Sequence, residues 1–206
     1  MKPIVPLTLC LLPLAFSCSS TSEKQRSAED ARMPDMSPED MLARMAELGQ
    51  PSQHHRSLDP LVGEFRATVK LWMPGQSEPA LSEGSISNRW VLGGRFLQGN
   101  YRGEFQGQAF DGLSFMGYDR AKERFVGTWM DTFSTMILPV SEGESSEDGK
   151  TITMERDFWS PAENRRVHQR DVLTIQGNDQ HVFAMYTSDP KGKEVKSMEI
   201  LYTRVR

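Results

Sequence analysis

From Leu61 onward the chain alternates apolar and polar residues with period two, run after run, and no helical stripe of three turns interrupts it. Phe65, Ala67, Val69, Leu71 and Met73 alternate with Glu64, Arg66, Thr68 and Lys70, the pattern of a strand with one buried face. Comparable runs follow at about 82–92, 94–105, 108–118, 123–133, 135–144, 150–159, 165–175, 180–187 and 194–204. Turn signals separate them, among them Pro74-Gly75, Gly93-Gly94, Glu147-Asp148-Gly149-Lys150, Gly177-Asn178-Asp179 and Asp189-Pro190-Lys191-Gly192-Lys193. Short connections between successive strands predict antiparallel hairpins in sequence order, and such a sheet disposes of its edges by closing. The expected fold is all-β: a closed antiparallel up-and-down β-barrel of about 8–10 strands, preceded by one short N-terminal helix. A two-sheet sandwich is the alternative, and the lack of long crossovers counts against its Greek-key wiring.

The chain has 206 residues, a formal net charge of −4 and two Cys. A mildly acidic balance offers no electrostatic footprint for nucleic acid. Two cysteines cannot build a disulfide scaffold or a four-thiolate zinc site. No apolar run reaches the roughly 18 residues a spanning helix needs. Residues 1–17 read as a signal peptide: Lys2 is followed by an apolar core, Ile4 to Phe16, broken by Pro6 and Pro13. The core ends in Ala15-Phe16-Ser17-Cys18, which resembles a bacterial lipoprotein box and so implies lipidation of Cys18. Ordinary cleavage near Ser17 or Ser20 is the alternative. Ser19 stands where an inner-membrane retention signal usually shows Asp, which by resemblance favours the outer membrane. The protein is therefore expected to be exported to the cell envelope as an outer-membrane or periplasm-facing lipoprotein, touching membrane through its lipid anchor only.

Residues 18–36, rich in Ser and charge, read as a flexible tether starting at that Cys. Residues 37–57 read as a docking helix and a polar lead-in, and 58–206 as the barrel domain. Ser37 suits an N-cap, Pro38 the first helical position, and Glu39 and Asp40 the positive end of the helix dipole. Met41, Leu42, Met45 and Leu48 form one stripe, and Gly49 with Pro51 stops the helix. So short a helix is unstable alone, which predicts that the stripe packs on something.

Gly63-Glu64-Phe65 opens the first strand where lipocalin-type barrels carry a Gly-x-Trp turn, whose aromatic closes the barrel base. With it stand Asn88-Arg89-Trp90-Val91-Leu92-Gly93-Gly94-Arg95-Phe96-Leu97, Thr128-Trp129-Met130-Asp131, Phe183-Ala184-Met185-Tyr186 and the block from Gly192 to Arg204. These blocks, in this order, resemble the bacterial domain-of-unknown-function family DUF1579, which is regarded as calycin-like or lipocalin-like. The resemblance runs roughly from Met41 to Arg204 and includes His55 before the first strand. It implies a barrel and implies no activity.

Four His are present, His54, His55, His168 and His181, at spacings that match no zinc signature. His54 and His55 lie in the polar lead-in, where a solvated or hydrogen-bonded pair is the plain reading. His168 and His181 fall on adjacent expected strands and share a face only in one register. No metal or cofactor is expected; haem is the minor exception, because nitrobindin, a related calycin type, binds haem in such a barrel. Gly112-Leu113-Ser114-Phe115-Met116-Gly117 is not a nucleophile elbow, and Gly93-Gly94 reads as a tight hairpin. Glu155, Asp157, Asp171 and Glu199 read as decoration of outer strand faces, so no catalytic residue is named.

The polar–aromatic residues of the family-like blocks remain as the ligand-binding candidates: Trp90, Arg95, Tyr101, Trp129 and Asp131. Period two sets Arg95 with Tyr101 on one face and Trp129 with Asp131 on another, and an aromatic wall with one Arg and one carboxylate suits a small-ligand pocket. The plain alternative makes the Trp residues core and Arg95–Asp131 a structural ion pair or unrelated groups. The expected function is binding of a small apolar or amphipathic molecule in the interior. Two alternatives stand: a hydrolase or isomerase using the same cavity, and a filled barrel serving as an envelope interaction domain. Nothing in the sequence sets the oligomeric state. Replacing Cys18→Ser is expected to move the protein from the membrane to the soluble fraction on cell fractionation; unchanged partition removes the lipoprotein reading.

Overall fold

The computed structural model of the chain describes residues 36–206. The expected signal peptide, Cys18 and the tether up to residue 35 lie outside the described residues. Ser37 stands before helix α1 (Pro38–Leu48), and its hydroxyl accepts the Asp40 amide at 3.1 Å, an N-cap. No residue of α1 is fully buried: of the expected stripe Met41, Leu42 and Met45 are exposed and Leu48 is half-buried. A short helix α2 (Gln53–Arg56) and a 3₁₀ turn (Asp59–Leu61) lead into the sheet.

Ten strands follow: β1 (Gly63–Leu71), β2 (Ala80–Val91), β3 (Phe96–Phe105), β4 (Gln108–Asp119), β5 (Arg124–Asp131), β6 (Ser141–Ser145), β7 (Thr151–Ser160), β8 (Arg165–Ile175), β9 (Gln180–Ser188) and β10 (Glu194–Arg204). Each pairs antiparallel with the next, and β10 returns to β1, so the sheet closes as the alternating runs predict. Alternation decides which side chains go in: Phe65, Ala67 and Val69 of β1 are buried, while Glu64, Arg66 and Thr68 between them are exposed.

The wall departs from expectation most between β5 and β7. The run expected at 135–144 yields only β6, and residues 132–140 form a strap outside the ladder. Pro139 has no N–H to offer a neighbouring strand, so regular pairing resumes only after it. The strap is tied by scattered bonds instead. Leu138 N–H donates to the Trp129 carbonyl at 2.9 Å, the Thr128 hydroxyl to the Leu138 carbonyl at 2.6 Å, and Thr132 N–H to the Asp111 carbonyl at 3.0 Å. At the far end of β1 the ladder stops at Leu71, short of the expected Met73, which is exposed.

The base of the barrel is plugged by the lead-in segment. Leu58 and Leu61 enter an apolar cluster with Leu97, Phe125, Ile152 and Ile175. Polar side chains fix the plug. The Asn88 amide donates to the Leu61 carbonyl at 2.9 Å, and Tyr118 stacks on His54 with ring centres 4.2 Å apart. His55 is buried and accepts the Ser52 amide at 3.0 Å.

Arg204, at the end of β10, closes the same region. Its guanidinium lies 4.4 Å over the ring of Phe65 and donates to the carbonyls of Val62 (2.7 Å), Pro60 (2.8 Å) and Asn178 (2.6 Å). A Cβ at Gly63, whose φ is +123°, would lie 2.5 Å from Arg204 Nη1. Glycine is therefore required twice there, for its backbone angle and for the approach of the guanidinium. The Gly63-Glu64-Phe65 turn and Arg204 thus meet as one fastening. Replacing Arg204→Met keeps an apolar stem over Phe65 and removes the charged donors. Each such bond is worth ~1.5–3 kcal/mol alone and the set is not additive, so urea unfolding is expected to show a loss of about 3 kcal/mol. A loss below about 1 kcal/mol would show that closure does not depend on this residue.

Candidate functional site

Closure leaves an interior cavity of about 520 Å³. Its wall is mostly apolar, with Val69, Ile86, Met116, Phe183 and Ile200 among the lining residues, and the strap adds Phe133, Met136 and Leu138. A cavity of this size falls within the range of small-molecule sites.

Three of the five residues named from sequence, Tyr101, Trp129 and Asp131, line this cavity together. The Trp129 indole N–H donates to Asp131 Oδ2 at 2.7 Å, and Asp131 Oδ1 accepts the Phe133 amide at 3.0 Å. Asp131 therefore orients the indole and anchors the start of the strap. The Trp129 ring stacks on Phe110 and meets Tyr101 edge-on, each at 6.3 Å between centres. It lies against β4 where a Cβ at Gly112 would clash with the indole carbons, so the wall has room for the indole only because that residue is glycine.

Trp90 and Arg95 are placed elsewhere. The Trp90 indole N–H donates to Asp59 Oδ1 at 2.8 Å and the ring packs on the basal cluster, which makes it a fastener of the 3₁₀ turn. Arg95 lies in the turn 92–95, because Val91 pairs with Phe96 and β3 begins only there. Its guanidinium donates to the Leu92 carbonyl at 3.1 Å. Arg95 thus shares the parity of Tyr101 without sharing its strand, and the expected Arg95–Asp131 pair does not form.

The polar centre of the cavity was not expected. Asp171, read from sequence as outer decoration, is 2% exposed and points inward from β8. Arg156 Nη2 donates to Asp171 Oδ2 at 2.6 Å, and Gln169 Nε2 to Asp171 Oδ1 at 2.7 Å. Arg156 Nη1 also reaches the Pro139 carbonyl of the strap at 3.2 Å. A signal for these residues does exist in the sequence. Arg156 occupies the file Ile152, Met154, Arg156, Phe158, and Gln169 and Asp171 interrupt the file Val167, Leu173, Ile175. Polar residues at inward parity on neighbouring strands must find one another. Burial pushes the Asp171 carboxyl upward, and Arg156 with Gln169 pulls it back.

His168 and His181 face opposite ways. His168 is outside, 3.1 Å from Asp157, whereas His181 is buried, lines the cavity and stacks on Tyr202 with ring centres 4.5 Å apart. Burial, and then the nearby charge of Arg204, lowers the His181 pKa to about 4, so its ring is neutral near neutral pH. Burial raises the phenols of Tyr101 and Tyr202. Among the described residues, no group of three or more His, Cys, Asp or Glu is gathered to hold a metal ion.

A family model described as "Protein of unknown function (DUF1579)" matches residues 50–204. No curated protein matches the chain. Among solved structures, that of Rv2717c from M. tuberculosis is similar, with 13% identity and a TM-score of 0.55, over 76% of this chain and 100% of that one. At that identity the likeness shows the fold alone. Two redesigned β-barrels match less well: b11L5F_LGL, at 14% identity and a TM-score of 0.39 over 73% of this chain and 96% of its own, and mFAP0 bound to DFHBI, at 11% and 0.38 over 70% and 99%.

The buried imidazole gives the fold a pH dependence of defined sign. The folded state holds His181 neutral down to about pH 4, while an unfolded histidine takes up its proton below about 6.5. Stability from this residue is therefore complete above the unfolded value and lost as pH falls toward the folded one, by about 3 kcal/mol in all. The variant His181→Phe keeps a flat ring against Tyr202 and is expected to lose at least ~1 kcal/mol less than the parent on going from about pH 7.5 to 4.5. Urea unfolding at the two pH values measures this, and equal losses would remove His181 as the cause.

Proposed function

We propose, for a chain that belongs to the DUF1579 family of proteins of unknown function, that the barrel is a binding module holding a small apolar or amphipathic molecule in its interior. The observation that carries this reading is the cavity of about 520 Å³ with its largely apolar wall and few convergent polar groups. Such a volume weighs against a barrel packed solid as an interaction domain. A hydrolase or isomerase in the same space would need two proton-exchanging groups within hydrogen-bond reach. The cavity pair within reach, Arg156 and Asp171, contains a guanidinium that keeps its proton, which favours binding over catalysis. Export and anchoring at Cys18 complete the reading, supported by the Ala15-Phe16-Ser17-Cys18 box.

Haem is a second occupant, favoured by one observation: His181 lines the cavity and is neutral near neutral pH, as an iron ligand must be. Haem would supply the redox or gas-binding chemistry, and His181 would be the residue to hold it. A Soret band that forms on haem addition and is lost in His181→Ala supports this second reading; no band ends it.

Native mass spectrometry of the protein extracted from its own envelope, with a Nile red titration of the purified protein, tests the first reading. A co-purifying mass and saturable dye binding are expected, with dye affinity at least about tenfold weaker in Met185→Trp, where an indole fills part of the cavity. Absence of both a co-purifying mass and dye binding overturns the proposal.

A further inference from the structure

We propose that the cavity selects an uncharged amphipathic molecule by one hydrogen-bond-accepting oxygen, an ester, ketone or amide carbonyl, read by the buried guanidinium of Arg156. This rests on the interior-binding reading above and names the chemistry of the ligand's head.

The Arg156 side chain is 6% exposed and lines the cavity. Its two terminal nitrogens are used, one on Asp171 and one on the Pro139 carbonyl. Its Nε is buried with no partner, and it is the one such side-chain atom among the described residues. Native folds rarely leave a buried N–H donor of a charged group unpaired, and when they do the donor marks a place for a further acceptor.

The charge of that acceptor follows from the neighbours. Arg156 and Asp171 cancel, so the polar centre carries no net charge, and Gln169 adds none. A carboxylate head would set a second anion against one guanidinium already neutralised. An ammonium head would face the guanidinium itself. Either ion set at this centre would be drawn from water into an apolar cavity without a partner of its own. Asp131 repels a carboxylate head; it has acceptor capacity beyond its bonds to Trp129 and the Phe133 amide, but an ammonium taken there would be held by β5 and would leave Nε of Arg156 on β7 without an acceptor. A neutral carbonyl supplies what Nε lacks and brings no charge. Leu138, Met154, Phe158 and Leu173, next along the chain to the polar centre and themselves lining the cavity, suit an apolar body.

The test uses Nile red displacement from the purified protein by four probes of one chain length: decane, methyl decanoate, decanoate and decylammonium. Methyl decanoate is expected to bind about tenfold tighter than the other three, the worth of one charge-assisted hydrogen bond. Removing Arg156 alone would strand Asp171, so the variant is Arg156→Met with Asp171→Leu, which takes out both charges together. In this double variant methyl decanoate is expected to fall about tenfold, to the level of decane, with decane unchanged. A double variant that keeps the ester preference overturns the assignment to Arg156. Decanoate or decylammonium binding tightest, or ester and alkane binding equally in the parent, overturns the neutral-head claim while leaving interior binding intact. Failure of all four probes to displace bound dye overturns the neutral-head claim, whereas absence of dye binding together with no co-purifying mass removes the interior-binding reading on which it rests.

Discussion

Arg204 gathers three backbone carbonyls from two separate segments of the chain onto one guanidinium, beside the seam where β10 closes the barrel on β1. β1 and β10 are the first and last strands, so their pairing joins the most distant parts of the domain. The fastening also fixes the plug, because Pro60 and Val62 belong to the segment that carries Leu58 and Leu61 into the base. Its charge reaches further still: together with burial it holds His181 neutral. The lower half of the cavity is thus shaped by a residue that does not line it.

A buried ion pair is a costly element of an otherwise apolar wall, and apolar replacement of such pairs is often neutral or stabilising. Arg156 and Asp171 are nonetheless built with care. Gln169 satisfies the second carboxylate oxygen, and Pro139 takes a guanidinium nitrogen, so the cluster reaches from two strands to the strap. It sets a charged but internally neutralised cluster into a mostly apolar chamber.

The architecture was legible because period-two alternation is a local property, readable without knowing any partner strand. The shared face of Trp129 and Asp131 was legible for the same reason, and the structure turns that face, and Tyr101, toward the cavity. Arg95 failed because parity loses its meaning inside a turn, and the boundary at Phe96 depends on the pairing of Val91. Trp90 failed because an inward indole at a strand's end meets the plug and not the chamber. Asp171 was misread on residue type, which says that carboxylates belong outside, against its position, which sets it in an apolar file. Position was the better guide, and an arginine at inward parity on the adjacent strand was the evidence for it. The strap could be read only in its breaker, Pro139; its course across Trp129, Asp111 and Arg156 is set by tertiary partners.

β6 pairs with β5 only from Phe125 to Gly127, so the remainder of β5, Thr128 to Asp131, has no ladder on that side. On the other flank, β7 from Arg156 to Ser160 likewise lies beyond the reach of β6. Everywhere else neighbouring strands are joined by long runs of backbone bonds, and opening the wall there means breaking many at once. Between β5 and β7 the wall is held by a handful of individual bonds, most of them on Thr128, Trp129, Leu138 and Arg156. Breaking a few contacts is a local event that leaves the global fold standing. The local opening that breaks the fewest backbone bonds is therefore a parting of this one panel beside the chamber.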